Sequence, residues 1–134
     1  MDHNPQRTVQ LVVPTTPEFA SVVRVAAVGL AALAQLDLDK TEDLRLAADE
    51  MWLYLRSLDA SVDTVTFFFT YDKGAVHVRA RTPWGESDTP QPPEDHLGWM
   101  VLRAITSDAV VVSHDECVEV SATVSHNAPG TFHQ

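Results

Sequence analysis

The sequence predicts an α+β domain in which helices cover one face of a mainly antiparallel sheet, so that two layers form a sandwich. One observation is the order of patterns along the chain: strand, two helices, two strands, helix, two strands. Another is that short turns join the later strand patterns in pairs. The third is composition, because 134 residues with 45% hydrophobic and 21% charged side chains suit one soluble domain with a real core.

The chain begins with a strand pattern followed by a helix. Residues 8–13 alternate loosely between apolar and polar, and Pro14 ends the run. Thr16 followed by Pro17 is typical of a helix start. Apolar residues at helical spacing then continue through residues 19–36, and the predicted stripe is Phe19, Val22, Val23, Ala26, Leu30 and Leu33.

A second helix is predicted between Thr41, as its cap, and about Ser57. Its buried stripe is predicted as Leu44, Ala47, Ala48, Met51 and Leu55. In the second half of the chain, two strands joined by a turn are predicted at residues 63–71 and 75–81. A proline-rich loop at 82–95 and a third helix at 96–107 follow, and two more strands are predicted at 109–112 and 117–124.

Charge and composition limit the possible functions. A net charge of −10 disfavours direct nucleic-acid binding, which depends on basic side chains, and suits a basic protein partner. The single Cys117 excludes an internal disulfide, and no apolar run is long enough to cross a bilayer. We expect a cytoplasmic domain over residues 8–125, with flexible ends at 1–7 and 126–134 and no membrane contact.

The second helix carries Glu50 and Tyr54, which are neighbours on one helix face because they lie four residues apart. The segment 42–55, Glu-Asp-Leu-Arg-Leu-Ala-Ala-Asp-Glu-Met-Trp-Leu-Tyr-Leu, resembles the second helix of the GHKL (Bergerat-fold) ATPases, specifically the RsbW-type anti-sigma factor kinases. The resemblance implies that Glu50 stands at the general-base position. Tyr54 stands where the family has a magnesium-binding asparagine, and tyrosine has no amide carbonyl. A plain solvated carboxylate is the competing interpretation of Glu50.

Two further motifs of the family are altered. Where the family has Asp-x-Gly-x-Gly to bind adenine, this chain has Pro83 in place of the aspartate, Gly85 at the first glycine and Ser87 at the second. In the glycine turn that opens the last helix, Gly98 is kept and His96 replaces the other glycine. Acidic Glu94 and Asp95 precede it, where the family would bind phosphate.

The resemblance therefore implies an anti-sigma factor that sequesters an alternative sigma factor and is released by an anti-anti-sigma factor, with kinase activity weak or lost. It implies no required cofactor, a homodimer, and Arg24 in the sigma-binding surface, where Arg24→Glu should weaken binding and leave the fold intact. An active ATP- and magnesium-dependent serine kinase is the alternative, and a regulatory scaffold is the third interpretation.

Other residues leave alternatives open. We expect Trp52 to fill the vacated nucleotide pocket; Trp84 and Trp99 could do the same or could anchor a partner. The run His114-Asp115-Glu116-Cys117 has metal-ligand residue types, but neighbouring residues of a strand point to opposite faces, so no metal site is predicted. Cys117 is either a small core residue or, if exposed and acidic, a redox sensor.

Overall fold

A computed structural model describes residues 7–59, 61–85, 90 and 96–126. Of the flexible ends predicted at 1–7 and 126–134, residues 1–6 and 127–134 lie outside the described residues, as do Ser87, Glu94 and Asp95 in the loop, whereas Arg7 belongs to the first strand. The described elements follow the predicted order: β1 Arg7–Pro14, a 3₁₀ turn Pro17–Phe19, α1 Ala20–Leu33, α2 Leu38–Arg56, β2 Thr64–Asp72, β3 Ala75–Pro83, α3 Leu97–Ile105, β4 Ser107–His114 and β5 Cys117–Ser125.

The five described strands form one antiparallel sheet in the order β1-β2-β3-β5-β4. In β2, β3 and β5 every second side chain is buried, because the helices lie on that face only. The buried apolar residues of these strands are Val65, Phe67, Phe69, Val76, Val78, Ala80, Val118, Val120, Ala122 and Val124, and the polar Thr82 is buried with them. The predicted α+β class with an antiparallel sheet is confirmed, and the arrangement is compatible with the predicted two-layer sandwich. In the described part of the chain, no helix covers the other face of the sheet, which is called the open face below.

The second helix begins earlier than predicted. Its cap is Asp37, whose carboxylate accepts a hydrogen bond from the Lys40 backbone N–H at 2.8 Å, and Thr41 lies within the helix. The sequence did not predict this first turn, because Leu38 is an exposed apolar residue that does not fit the spacing of the buried stripe. The stripe predicted for the rest of this helix is buried at every position.

The first helix is apolar on both sides. Val23 and Leu30 are buried against the core as predicted, but Val22 and Leu33, placed in the same stripe from the sequence, are exposed. The α-helix begins only at Ala20, after the 3₁₀ turn. An apolar helix face is therefore left uncovered by the described residues.

Two turns complete the sheet. Gly74, between β2 and β3, has φ of 87°, which only glycine adopts freely. Asp115 and Glu116 join β4 to β5 with φ of 50° and 61°, the conformation of a tight hairpin turn. His126, predicted in the flexible end, donates its backbone N–H to the Gly74 carbonyl at 3.0 Å. No helix among the described residues is long and apolar enough to cross a membrane.

Candidate functional site

Five of the residues singled out from the sequence, among them Trp99, meet at one place. Glu50 and Tyr54 extend from α2 toward the start of α3, where they line a small cavity together with His96 and Gly98. The remaining lining residues are Trp99, Leu102 and Val120. The spacing on α2 therefore predicted a real juxtaposition, whereas Leu102 and Val120 carried no recognisable signal because they look like ordinary core residues.

The cavity is closed by large side chains. Its volume is about 10 Å³, which is room for about one water molecule, whereas small-molecule sites usually occupy roughly 300–1,000 Å³. The ring centroids of Tyr54 and Trp99 lie 6.4 Å apart, and the Tyr54 hydroxyl donates to the Pro90 carbonyl at 3.0 Å. Burial raises the pKa of Tyr54 to about 12, so the hydroxyl keeps its proton for this bond. Tyr54 and Trp99 thus fill the space between the two helices.

Gly98 provides room for the Glu50 side chain. A Cβ atom at Gly98 would collide with Glu50 Oε1 and would lie 3.2 Å from Glu50 Cδ. The Glu50 carboxylate therefore lies against the first turn of α3, where the helix dipole favours negative charge. His96 caps this turn, its Nδ1 accepting a hydrogen bond from the Trp99 backbone N–H at 3.4 Å. The position that the family resemblance assigns to phosphate is adjacent to a carboxylate of the protein itself.

The environment of Glu50 predicts a pH-dependent stability. Burial and then the Asp49 carboxylate raise the pKa of Glu50, and His96 opposes them. Because the folded state holds this proton more tightly than the unfolded state, the contribution of Glu50 is fully present at low pH and is lost as pH rises through the folded pKa. We expect Glu50→Gln to raise the Tm at pH 7 and to change it little at pH 4.

Thermal melts between pH 4 and 8 measure this effect. Glu42→Gln is the matched control, because Glu42 lies on the same helix with an exposed side chain and pairs with Arg45 at 2.8 Å. That exposed pair contributes at most about 0.5–1 kcal/mol, so its loss should slightly lower the Tm at pH 7. An equal Tm change for Glu50→Gln at both pH values would contradict the assignment.

The altered adenine motif lies apart from this cavity. Pro83 and Gly85 instead line a surface cleft of about 450 Å³, which also includes Trp84 and Glu116. The Trp84 backbone N–H donates to the Glu116 carbonyl at 2.9 Å, which holds the end of β3 against the β4–β5 turn. Neither Pro83 nor Gly85 is among the residues that line the Glu50 cavity. The structure therefore does not bring all the predicted nucleotide-binding positions into one enclosed site.

Arg24, the predicted partner-binding residue, forms an ion pair with Asp49 of the neighbouring helix. Its Nε lies 3.3 Å from Asp49 Oδ1 and its Nη2 lies 3.4 Å from Oδ2, so both carboxylate oxygens are engaged. Asp49 is nearly buried, at 9% exposure, while the Arg24 side chain is 45% exposed. The pair links α1 to α2. Sequence reasoning missed Asp49, because nothing local indicates which acid of α2 faces α1.

Trp52 does not fill the cavity as predicted, whereas Trp99, for which cavity filling was one of two alternatives, lines it. Trp52 is not among the residues that line the cavity; it is 1% exposed and belongs to the main core. Its Nε1 has no hydrogen-bond partner among the described residues, and the Arg56 guanidinium lies 4.8 Å from its ring centroid. Trp99 fills the space between α2 and α3 instead of Trp52. Residue 52 faces the core beside the sheet, whereas residue 99 directly follows Gly98, the glycine that faces α2.

The run from His114 to Cys117 does not form a metal site in the described part of the chain. No three His, Cys, Asp or Glu side chains gather there or elsewhere among the described residues. Cys117 is partly buried, and burial raises the pKa of its thiol although Arg81 opposes this. Since the thiolate is the reactive form, these surroundings disfavour the redox-sensor interpretation.

Comparison with protein-family models and with curated proteins found no match to this chain.

Proposed function

We propose that this chain is an anti-sigma factor of RsbW type, built on the Bergerat fold and working without nucleotide chemistry. The observation that carries the proposal is the cavity of about 10 Å³ between Glu50 and Gly98, in a domain with the element order of that kinase family. In support of the proposal, Tyr54 and Trp99 fill the gap between α2 and α3 to which the resemblance assigns a nucleotide, and the Glu50 carboxylate lies at the helix start to which it assigns phosphate. A domain of this kind can still act through its surface, by binding another protein.

The outward face of α1 supports a protein-binding role. Val22, Val25 and Val28 are exposed there, Val25 to 72%, at a spacing of three residues along the helix, and exposed apolar side chains on one face are typical of protein interaction sites. Arg24 lies on the same helix, and 45% of its side chain is exposed. The net charge of −10 adds long-range attraction for a basic partner, which increases the association rate.

Without phosphorylation, release of the sigma factor follows from competition. An anti-anti-sigma factor that binds an overlapping surface displaces the sigma factor by mass action, in proportion to its concentration and affinity. The switch is then controlled by the amount of antagonist, and the cytoplasm, where sigma factors act, is the proposed location.

An active serine kinase is the second candidate, and one observation favours it. Glu50 and Gly98, the two positions that match the family best, lie in contact at the start of α3. For Mg-ATP to bind there, Tyr54 and Trp99 would have to leave the space between α2 and α3. The kinase hypothesis therefore requires a rearrangement that the binding hypothesis does not.

Two measurements separate the candidates. Calorimetric titration of the chain with the sigma factors of its source bacterium should give a complex whose Kd is the same with and without Mg-ATP. A phosphotransfer assay with the anti-anti-sigma factor and Mg-ATP should give no phosphoserine above the level of Glu50→Gln. Phosphorylation that Glu50→Gln abolishes would establish the kinase instead, and failure to bind any sigma factor would refute the anti-sigma role.

A further inference from the structure

The open face of the sheet carries charged and aromatic side chains at its centre. Arg79 and Arg81 of β3 lie there, because they alternate along the strand with buried apolar residues that face the helices. In the two neighbouring strands, Phe68 of β2 is opposite Arg79 and Glu119 of β5 is opposite Arg81. Residues opposite one another in a sheet lie on the same face, so these four residues form one group, the open-face cluster.

Phe68 holds both arginines of the cluster in place. The guanidinium carbons of Arg79 and Arg81 each lie 4.7 Å from the centroid of the Phe68 ring, within the range of cation–π attraction. The two arginine side chains are 33% and 34% exposed, so neither is shielded from a partner. Because binding normally costs the rotamer freedom of long side chains, arginines that are already stacked lose less of it. The cluster is therefore preorganised for a ligand.

The open-face cluster has more positive than negative charge. Arg79 Nη1 lies 3.6 Å and Arg81 Nη2 lies 3.2 Å from the same oxygen, Glu119 Oε1. In the other Arg and Lys ion pairs among the described residues, each cation has an acid of its own. A guanidinium binds a carboxylate best through two parallel hydrogen bonds, which one shared oxygen cannot give to two arginines. The cluster therefore retains one unbalanced positive charge and N–H donors for a further carboxylate.

Exposed apolar side chains lie on both sides of this charge. Cross-strand pairing forms one row on the open face that runs Val12, Thr66, Arg81, Glu119, Val112. Val12 is 54% and Val112 is 45% exposed. Since neighbouring strands are roughly 4.8 Å apart, each valine lies about 10 Å from Arg81 along the row. The open face thus combines apolar contacts with arginine and aromatic side chains, which are enriched at protein interfaces.

We propose that the open-face cluster binds an acidic segment of a partner protein, whose carboxylate pairs with Arg79 and Arg81 while its flanking apolar side chains cover Val12 and Val112. The reason is charge complementarity. With a net charge of −10, the chain repels an acidic partner over most of its surface, and like charges at an interface suppress wrong contacts. The excess positive charge of the cluster makes the open face the place where such a partner is accepted, in the way that arginine clusters recognise acidic motifs.

A single-stranded nucleic acid fits the same cluster less well. Such ligands stack their bases on free aromatic rings and follow a basic groove with their phosphates. The Phe68 ring is stacked against two guanidiniums instead, and the Glu119 carboxylate would repel phosphates at the centre of the face. An oligothymidylate therefore serves as the opposing probe.

Random peptides displayed on phage provide the acidic probe. Selection on the purified chain should enrich peptides in which Asp or Glu has apolar residues on both sides, whereas the net charge of −10 alone would favour basic peptides. The most enriched acidic peptide is then synthesised, and calorimetry measures its Kd. Enrichment of basic peptides only, or of no peptide, would overturn the proposal.

Arg79→Glu and Arg56→Glu are a matched pair of variants. Both arginines stack on an aromatic ring, since the Arg56 guanidinium lies 4.8 Å from the Trp52 ring centroid, and each substitution changes the net charge from −10 to −12. Arg79 is on the open face, whereas Arg56 is on α2. We expect Arg79→Glu to weaken the Kd of the acidic peptide by about tenfold or more, and Arg56→Glu to change it by less than about twofold because salt screens distant charges. Equal weakening by the two variants would contradict the proposal.

Chemical-shift mapping covers the case in which Arg79→Glu fails to fold. Titration of the unmodified, isotope-labelled chain with the acidic peptide should shift the amide signals of residues 66–70, 79–81 and 119–121 and leave those of residues 22–28 on α1 unchanged. The oligothymidylate should shift neither set. Peptide shifts confined to α1 would overturn the proposal, and oligothymidylate shifts on the open face would assign that face to nucleic acid instead.

This proposal goes beyond the anti-sigma role and does not rest on it. The α1 helix packs on the covered side of the sheet, so its outward surface and the open face do not overlap. The measurements use the purified chain and synthetic probes, so their failure and the failure of sigma-factor binding are separate results.

Discussion

Replacing Trp52 with alanine should lower the free energy of unfolding by about 3–5 kcal/mol. Trp52 is 1% exposed and is the largest fully buried side chain among the described residues. Its removal loses the transfer free energy of the indole and leaves a cavity that the surrounding helices and sheet can close only in part. Urea denaturation followed by circular dichroism should show a lower midpoint with an unchanged m-value.

Trp52→Phe is the matched control. Phenylalanine keeps most of the apolar bulk and removes Nε1, which has no hydrogen-bond partner in the described structure. Removing an unpartnered buried donor relieves a cost of about 1–3 kcal/mol, which offsets part of the lost packing. We expect the loss to stay below about 1.5 kcal/mol. Equal losses for the two variants would show that ring packing is not what Trp52 contributes.

Trp99→Ala separates core packing from filling of the cavity. Because Trp99 lines the cavity beside Glu50 and Trp52 does not, only the Trp99 variant should enlarge the space between α2 and α3. Calorimetry with Mg-ADP tests whether that space then accepts a nucleotide. The sequence suggested Trp52 for this role because it lies in the family's helix motif, but helical rotation carries residue 52 toward the sheet.

The architecture was predictable because the spacing of apolar residues and the residue types in the turns indicate the same elements along most of the chain. The α2 stripe from Leu44 to Leu55 follows a helical spacing that only one buried face explains, and all its predicted members are buried. The hairpin at Gly74 was equally clear, since a glycine with positive φ joins two β-branched runs. Local sequence determines such features.

Features that depend on distant parts of the chain were not predictable. Val22 and Leu33 looked like core residues, yet α1 packs through Val23 and Leu30 and leaves them exposed, because α1 is apolar all round and its periodicity does not select a face. The edge position of β1 is another example: whether a strand is at the margin of a sheet depends on the pairing of all the others.

The candidate site was predictable in part for the same reason. Glu50 and Tyr54 share a face of one helix, so their spacing was sufficient to bring them together. That Glu50 meets Gly98 depends on how α2 packs against α3, and the closure of the cavity depends on the volumes of Tyr54 and Trp99 at that contact. Gly85, on a separate loop, lines a different cleft.

Arg24→Glu is expected to weaken sigma-factor binding by at least about thirtyfold, or roughly 2 kcal/mol, if Arg24 is an anchor of the α1 surface. The structure changes one part of the sequence-based expectation, that the fold would be unaffected. Arg24 pairs with Asp49, which is 9% exposed, so a glutamate there places two carboxylates together and leaves Asp49 without its cation. We expect a loss of roughly 1–2 kcal/mol of stability, less than for a fully buried pair because Arg24 is half exposed.

The reversed pair Arg24→Glu, Asp49→Arg resolves this ambiguity. It restores opposite charges between α1 and α2 and should recover much of the lost stability, yet it presents a carboxylate where the partner would meet a guanidinium. Calorimetric Kd values and urea midpoints are measured for both single variants and for the pair. This double-mutant cycle gives the coupling energy between residues 24 and 49 separately for sigma-factor binding and for stability. If Arg24 contacts the sigma factor, the reversed pair stays weak in binding while its stability returns. If affinity returns together with stability, Arg24 acts only by holding α1 against α2, and the binding surface must be assigned to the exposed valines without it.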